Sequence, residues 1–268
     1  MEAVEWARQR VRTDVEAVVV SERPWARVTR LGDAWLKECR PVQAFEVPLT
    51  SALAARWPER LPALLAADTE QAWLLLGGAG TPVFELDDAL DVWVTALPLY
   101  AALQQGESAH ADAHLAADVP DLRAPTLPER YGEWIEREPR LAPFAGRFAE
   151  LCAALTRPAT IQHDDLHEAN LYVRDGAIVF LDWGDTCVAH PFGTLWSTLR
   201  YVEHYRDASW LPVLRDAYLE PWGTGLDDEL DAALQVAAFA RLLQWERIGE
   251  PDALERNLER FVETVVAA

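Results

Sequence analysis

Polar side chains are concentrated between apolar runs in the stretch 160–185, TIQHDDLHEANLYVRDGAIVFLDWGD. Two β-forming runs, LYV and AIVFL, flank an Asp-Gly pair that favours a type I′ turn in a two-residue hairpin loop. Counting outward from this turn places Asn170 opposite Leu181, so that Asn170 and Asp182 converge at the open end of the hairpin. An amide carbonyl and a carboxylate are hard oxygen ligands that suit Mg²⁺. The sequence therefore predicts half of a magnesium site here.

A further carboxylate, Asp165, precedes Asn170 by five residues on the segment that leads into the hairpin. Protein kinases place a catalytic Asp and a metal-binding Asn at this separation, in the motif H-R-D-x-x-x-x-N, and add a second metal-binding Asp later in the chain. His163, Asp165 and Asn170 match this motif, and Asp182 follows as the second metal carboxylate. The spacing therefore indicates phosphoryl-transfer chemistry, with nucleotide phosphates supplying further metal ligands.

The elements that must position these residues fall into a β-rich part followed by a helical part. The runs ARVTRL and AWLKEC, joined by Gly-Asp, predict a hairpin whose second strand is the last strand of a small antiparallel sheet. A buried strand at 72–76 ends in the Gly-rich segment 77–82, which is the best boundary in the chain. Hydrophobic periodicity predicts helices at 3–15, 49–57, 86–103, 127–138, 144–155, 194–206, 211–219, 226–248 and 253–266.

With these elements in place, HDDLHEAN and LDWGD resemble the H-x-D-L-H-x-x-N and D-W-x-D motifs of the aminoglycoside phosphotransferase family, which are small-molecule kinases. His167 favours this branch, because protein kinases usually carry Lys there. The resemblance spans most of the chain. It implies an α+β, bilobal protein-kinase-like fold with an antiparallel β-sheet lobe over residues 1–80 that binds nucleotide. A mainly helical lobe over residues 81–268 would carry the catalytic hairpin and the substrate pocket.

Lys37 is the only lysine among 24 basic side chains, which suggests a position where a planar guanidinium cannot replace a compact ammonium. The resemblance places Lys37 on the third strand of the small lobe, where it would bridge the α- and β-phosphates of ATP or GTP. Glu46 would be its acidic partner on the following helix. Because Pro48 follows so closely, Glu46 is alternatively a solvated acid at a helix start. The hinge that contacts adenine would lie at 76–80, including Leu76, Gly77 and Gly78.

The resemblance also assigns roles around the hairpin. Asp165 would orient or deprotonate the acceptor hydroxyl, and His163 would brace the catalytic loop. Asn170 and Asp182 would hold Mg²⁺. The alternative is an ordinary network of polar turns, since Asp and Asn cap turns often.

Two segments depart from the family pattern. The loop SERPW at 21–25 contains no glycine, although protein kinases cover the phosphates with a Gly-rich loop there. Ser21, Arg23 or Trp25 would then contact the nucleotide. Many relatives carry Asp-Pro and a later Asp after D-W-x-D, whereas this chain reads HPFGT at 190–194. Whatever that later Asp supports must be done differently here.

The composition narrows the classes of partner. A formal net charge of −20 repels phosphate backbones and anionic lipid, so we expect no nucleic-acid and no membrane partner. The same charge favours a cationic substrate, or else serves only solubility. We expect no signal peptide and no membrane span. Cys39, Cys152 and Cys187 fit no metal spacing and indicate buried thiols in a reducing cytoplasm.

Three functions from different classes fit these residues. The first is ATP- and Mg²⁺-dependent phosphorylation of a hydroxyl on a small molecule: an aminoglycoside or other cationic antibiotic, or alternatively an amino alcohol or sugar metabolite. The second is a metal-dependent phosphohydrolase that uses His163 and Asp164 as a metal pair, although such pairs usually lie on helices. The third is a catalytically silent nucleotide-binding scaffold. The oligomeric state cannot be read from the sequence. Candidate contacts for substrate amines are Glu85, Asp87, Asp88 and Asp91.

Overall fold

The computed structural model of the chain describes residues 2–12 and 14–267, the last four of these by their backbone alone. In chain order the elements are α1 (Ala3–Val11), β1 (Ala17–Glu22), β2 (Ala26–Leu31), β3 (Ala34–Cys39), α2 (Glu46–Arg56), β4 (Leu64–Asp68), β5 (Trp73–Leu76), β6 (Thr81–Pro82), α3 (Ala89–Glu107), α4 (Ala111–Ala116), α5 (Leu127–Arg137), α6 (Ala145–Ala154), β7 (Thr160–Gln162), β8 (Leu171–Arg174), β9 (Ala177–Phe180), β10 (Cys187–Ala189), α7 (Leu195–Tyr205), α8 (Trp210–Leu219), α9 (Asp227–Ile248) and α10 (Pro251–Ala267).

These elements form two compact units. Of the described residues, the first unit comprises those up to 92, together with 117–119 and 167–185, and the second comprises the others. The hairpin of β8 and β9 therefore belongs to the first unit in this division. A lobe boundary after residue 80 stays a prediction.

The first unit is built on a five-stranded antiparallel sheet with the strand order β1-β2-β3-β5-β4. The prediction that β3 is the last strand of a small sheet is wrong, because β5 pairs with its free edge and makes β3 central. Helix α2 begins at Glu46, three residues before the predicted start. Pro48 fits there because the N–H groups of a first helical turn have no intrahelical partner. Helix α1 ends at Val11, four residues earlier than predicted, and Arg12 takes a left-handed φ of 52°.

The two faces of this sheet have different roles. Leu31, Leu36 and Leu75 are buried against Trp6 and its neighbours in α1. Because side chains alternate along a strand, Lys37 points to the other face. Packing of α1 thus covers one face with hydrocarbon and leaves the opposite face for the polar site.

The hairpin of β8 and β9 has the predicted register: Leu171 faces Phe180, Tyr172 faces Val179, Val173 faces Ile178 and Arg174 faces Ala177. Asp175 and Gly176 have φ of 52° and 78°, the two positive values that a type I′ turn requires. Strand β6 adds to this hairpin by pairing with β8. At Gly80 a Cβ atom would lie 2.1 Å from the carbonyl oxygen of Val173, so the backbone approach requires glycine.

The second unit is mainly helical, and β7 and β10 form a short antiparallel pair within it. Helix α9 is its most buried helix, and Tyr131, Phe148, Phe239 and Phe261 pack as an aromatic cluster with neighbouring ring centroids 4.3 to 6.3 Å apart. The predicted helices are present within a few residues of their expected bounds, whereas the short helix α4 was not predicted. All three cysteines are buried thiols, and none of them forms a disulfide bond. In the described part of the chain, no helix has both the length and the hydropathy needed to cross a bilayer.

Candidate functional site

An ammonium group between two carboxylates forms the centre of the candidate site in the first unit. The Lys37 Nζ donates to Glu46 Oε1 at 2.8 Å and to Asp182 Oδ1 at 2.6 Å. The side chains of Lys37 and Glu46 are 11% and 3% exposed, whereas that of Asp182 is 54% exposed. Strand β3 and the first turn of α2 therefore hold a buried ion pair, and the segment after β9 supplies a solvent-accessible third group.

The charges of this cluster are fixed by its surroundings. Burial alone would lower the pKa of Lys37, but Asp182 and Glu46 together raise that pKa well above its usual value. Burial raises the pKa of Glu46, and the attraction of Lys37 opposes this rise. The Cys39 Sγ lies 3.6 Å from Glu46 Oε2, and burial raises the pKa of this thiol, which stays protonated. Lys37 therefore keeps its positive charge between the two carboxylates.

Asn170 and Asp182 occupy the open end of the hairpin as the register predicted. The Leu181 N–H donates to the Asn170 carbonyl oxygen at 2.9 Å, which extends the pairing one step beyond the strands. His167 Nδ1 accepts the Ala169 N–H at 3.1 Å and so fixes the turn before Asn170. Asp182 adopts a left-handed φ of 60°, which redirects the chain immediately after the strand. An amide and a half-exposed carboxylate are the kind of oxygen donors that fit Mg²⁺.

Gln43 holds the segment that follows Asp182 and was not found by sequence reasoning. Its Nε2 donates to Asp185 Oδ1 at 2.9 Å. A Cβ atom at Gly184 would lie 2.6 Å from Gln43 Oε1, so the D-W-G-D segment packs directly on this amide. The two partners are far apart in the chain and Gln43 is not titratable, so no local pattern in the sequence could reveal the contact.

Apart from Lys37, the residues predicted to contact nucleotide lie at or just beyond the ends of strands in the first unit. Ser21 pairs with Val28, which in turn pairs with Lys37, so Ser21 shares the face of Lys37. Trp25 lies in the turn between β1 and β2, where its carbonyl oxygen accepts the Arg40 N–H at 2.8 Å. The three others, Leu76, Gly77 and Gly78, end and follow β5. Their contacts with nucleotide stay predictions.

In the second unit, His163 and the two acids after it form a tightly bonded loop. The His163 N–H donates to the hydroxyl of Tyr100 at 2.9 Å, and both residues are buried. Asp164 is fully buried and accepts hydrogen bonds from Gln162 and from Arg241, which also donates to Asp165. Arg241 comes from α9, and sequence reasoning did not identify it.

The hydrogen bonds of Asp164 bear on the phosphohydrolase hypothesis. Gln162 Nε2 lies 2.8 Å from one carboxylate oxygen of Asp164, and Arg241 Nη1 lies 3.3 Å from the other. A carboxylate engaged in this way is a paired structural acid rather than half of a metal pair. Among the residues that the structure describes, no three His, Cys, Asp or Glu side chains gather to hold a metal ion.

His190 occupies the segment where the chain departs from the family pattern. Its Nδ1 accepts the Phe192 N–H at 3.3 Å, and its Nε2 lies 3.0 Å from Glu229 Oε1. Arg157 donates to both oxygens of the same Glu229 at 3.1 and 2.8 Å. A buried histidine, an acid and an arginine therefore tie β10 to the start of α9.

We predict that His190 makes the protein sensitive to acid. Burial lowers the pKa of His190 from 6.5 to about 4, although Glu229 opposes the change. At pH values between the two pKa values, His190 is protonated in the unfolded state but neutral in the folded state. The stability that comes from burying neutral His190 is therefore fully present above the unfolded pKa and is lost as the pH falls toward the folded pKa. The free energy of unfolding should fall by about 2 kcal/mol from about pH 7 to about pH 5.

Urea unfolding at the two pH values measures this loss. His190→Gln keeps an N–H donor for Glu229 but cannot titrate, so the variant should show a clearly smaller decline than the wild type. An equal decline in both proteins would contradict the assignment to His190.

Comparison with known proteins identifies the family. The family model described as "Phosphotransferase enzyme family", APH, matches residues 20–233, which is most of the chain and includes Lys37, Asp165 and Asp182 but not Arg241. The chain belongs to this family. The APH resemblance inferred from the two motifs is therefore confirmed, and so is the enzyme class: a small-molecule phosphotransferase with an alcohol group as acceptor.

Solved structures share the fold of this APH family member at low sequence identity. The GDP and kanamycin complex of APH(2")-IIia has a TM-score of 0.69 at 13% identity, over 98% of each chain. The macrolide 2'-phosphotransferase MphH from Brachybacterium faecium has a TM-score of 0.61 at 18% identity, over 95% of this chain and 96% of its own. A choline/ethanolamine kinase family protein from Mesorhizobium loti has a TM-score of 0.57 at 13% identity, over 100% of both chains.

These similarities confirm the predicted α+β fold class, an antiparallel sheet and a mainly helical remainder, which the chain shares with solved phosphotransferases and choline/ethanolamine kinase family proteins. A comparison with curated protein sequences found no match.

Proposed function

We propose that this APH family member transfers the γ-phosphoryl group of ATP, with Mg²⁺, to a hydroxyl group of a small cationic molecule such as an aminoglycoside. The observation that carries the proposal is the cluster of Lys37, Glu46 and Asp182, in which a buried ion pair adjoins an exposed carboxylate. A structural ion pair would not need the third, solvent-accessible acid. A phosphate-binding ammonium beside a metal-binding carboxylate accounts for all three groups.

Lys37 would bind the α- and β-phosphates through its ammonium. Glu46 holds that ammonium from the buried side with both carboxylate oxygens within 2.8 Å, so its orientation does not depend on the nucleotide. Ser21 on the same face and Trp25 in the following turn would approach the phosphates in place of a Gly-rich loop. Leu76, Gly77 and Gly78 would contact the base of ATP or GTP.

Asn170 and Asp182 would hold the metal ion at the open end of the hairpin. Bound there, Mg²⁺ would neutralise negative charge on the transferred phosphoryl group. The register of β8 and β9 and the backbone hydrogen bond from Leu181 to Asn170 set the separation of the two metal-binding residues before any ligand binds. Such preorganisation avoids a reorganisation cost during the reaction.

Asp165 would orient the acceptor hydroxyl and accept its proton. The oxygen of the acceptor forms a bond to the γ-phosphorus, the bond to the β–γ bridging oxygen breaks, and the hydroxyl proton passes to the Asp165 carboxylate. This carboxylate is 33% exposed, so a substrate can reach it. Because phosphoryl transfer requires little covalent help from protein, positioning would supply most of the rate. His163 would brace this loop through Tyr100.

The acceptor class is inferred from charge and from relatives. The net charge of −20 and the exposed acids Glu85, Asp87, Asp88 and Asp91 favour a polyamine-like substrate. Solved relatives of similar fold carry kanamycin or gentamicin. A cytoplasmic role in antibiotic resistance would follow. The second candidate is an amino alcohol or sugar metabolite, because choline/ethanolamine kinase family proteins share the fold.

The test has two stages. Calorimetry with Mg·ATP and Mg·GTP first establishes nucleotide binding and preference. The protein is then incubated with the preferred nucleotide and, one at a time, with aminoglycosides, macrolides, choline and ethanolamine, and the masses of the products are recorded. One added phosphoryl group on a specific acceptor supports the proposal and names the substrate. Tight nucleotide binding without transfer or hydrolysis would favour a silent scaffold, and absence of nucleotide binding would refute the proposal.

A further inference from the structure

Arg241 connects α9 to two consecutive acids of the catalytic loop. Its Nη1 donates to Asp164 Oδ2 at 3.3 Å, and its Nη2 donates to Asp165 Oδ1 at 3.2 Å. The residue is 6% exposed, and its guanidinium lies over the ring of Trp245 at 5.0 Å from the centroid. Both hydrogen bonds come from one planar group that is itself held by packing, so they fix orientation as well as distance.

The backbone at Asp164 is shaped for this arrangement. In an extended chain, consecutive side chains point to opposite sides. Asp164 instead has a left-handed φ of 59°, a conformation that residues with a Cβ atom rarely adopt. This turn allows Asp164 and Asp165 to meet the same guanidinium. An unfavourable backbone conformation maintained at a reactive loop is a feature that functional sites share.

The two acids differ in what else surrounds them. Asp164 has a side chain that is 1% exposed and receives a second hydrogen bond from Gln162, so it serves as a buried anchor for the arginine. The Asp165 side chain is 33% exposed, so the same guanidinium also holds an acid that a solute can reach. One cation therefore links a purely internal carboxylate to an accessible one.

We infer that Arg241 is a positioning residue for phosphoryl transfer: anchored on Asp164, it fixes the orientation of the Asp165 carboxylate toward the acceptor hydroxyl. This inference rests on the proposed function. Lysine can replace Arg241 only in part, because a single ammonium does not present two N–H groups in a fixed fork to two carboxylates. The contribution should appear in kcat and leave nucleotide binding unchanged, because misplacement of a reacting group affects the rate of the chemical step.

The test compares Arg241→Gln, Arg241→Lys and Arg241→Ala with the wild type. The probes are Mg·ATP and the acceptor found by the panel, or Mg·ATP with water as acceptor. We expect kcat to fall about 100-fold in the Gln and Ala variants, with less loss in the Lys variant and no change in the dissociation constant of Mg·ATP. Millimolar guanidinium should restore part of the activity of Arg241→Ala alone. Arg247→Gln, on the same helix, is the matched control and should retain wild-type kcat.

Two further measurements keep the outcome clear. If Arg241→Gln fails to fold because the buried Asp164 loses its partner, the substitution is made together with Asp164→Asn, which removes that buried charge. The double variant should still have a lower kcat than Asp164→Asn alone. Hydrogen exchange of the peptide 160–170 should accelerate without Arg241, whether or not an acceptor is known. If the wild type were inactive, the proposed function would fail and exchange alone would decide the role of Arg241. Wild-type kcat in folded Arg241→Gln, or unchanged exchange, would overturn the inference.

Discussion

Replacing Asp182 by Asn should lower kcat for phosphoryl transfer about 100- to 1,000-fold, the effect of removing one group that stabilises charge in a transition state. The substitution removes the one accessible carboxylate of the cluster and weakens the oxygen donor set for Mg²⁺. The fold should persist for two reasons. Asn tolerates the left-handed φ of 60° found at this position, and Lys37 keeps its buried partner Glu46.

Asp175→Asn provides a matched control for this prediction. Asp175 lies on the turn of the same hairpin and has a left-handed φ of 52°, so the change removes one negative charge from a similar backbone conformation. This control should retain wild-type kcat. Steady-state kinetics over a range of Mg²⁺ concentrations should show a raised metal requirement in Asp182→Asn alone. Equal activity of the two variants would contradict the assignment of Asp182.

Replacing Lys37 by Ala should destabilise the first unit by about 3–5 kcal/mol, the usual cost of leaving one member of a buried ion pair without its partner. Glu46 has a side chain that is only 3% exposed, so its charge cannot be satisfied by water without local rearrangement. The same substitution should abolish tight binding of Mg·ATP, because the phosphate-binding ammonium is lost. Urea unfolding measures the first effect and calorimetry the second.

Two variants separate the stability effect from the loss of binding. Arg27→Ala removes an arginine in the neighbouring strand whose Nε lies 4.0 Å from Glu38 Oε1 in a pair that is partly exposed, and it should cost no more than about 1 kcal/mol. The double variant Lys37→Met with Glu46→Gln removes both buried charges and should recover much of the stability without recovering nucleotide binding. If Lys37→Ala were as stable as Arg27→Ala, the ion pair would not be the structural centre of the site.

The parts of this structure that could be predicted from sequence are those set by local rules. The register of β8 and β9 follows from a two-residue Asp-Gly turn, and each pair counted from that turn is present. The strand position of Lys37 follows from a short hairpin in the same way. The predicted position of β3 within the sheet was wrong because β5 and β4 join the sheet from later in the chain. The order of strands from distant segments has no local signal in the sequence.

The parts that could not be predicted depend on contacts between distant residues. Gln43 meets Asp185, and Arg241 meets Asp164 and Asp165, across long separations in the chain. Nothing in the pattern of a helix such as α9 distinguishes an arginine that faces a catalytic loop from one that faces solvent. Glu46 is an intermediate case: the family resemblance implied its pairing with Lys37, but the early start of α2 and the burial of the carboxylate became clear only from the structure.

The most direct measurement of the central claim compares wild type and Asp165→Asn in one assay that records the mass of the acceptor after incubation with Mg·ATP. Both proteins should bind Mg·ATP with the same dissociation constant, because the predicted nucleotide contacts do not include Asp165. The role proposed for Asp165 predicts that only the wild type adds a phosphoryl group to a hydroxyl-bearing acceptor at an appreciable rate. Transfer by Asp165→Asn at the wild-type rate would contradict it.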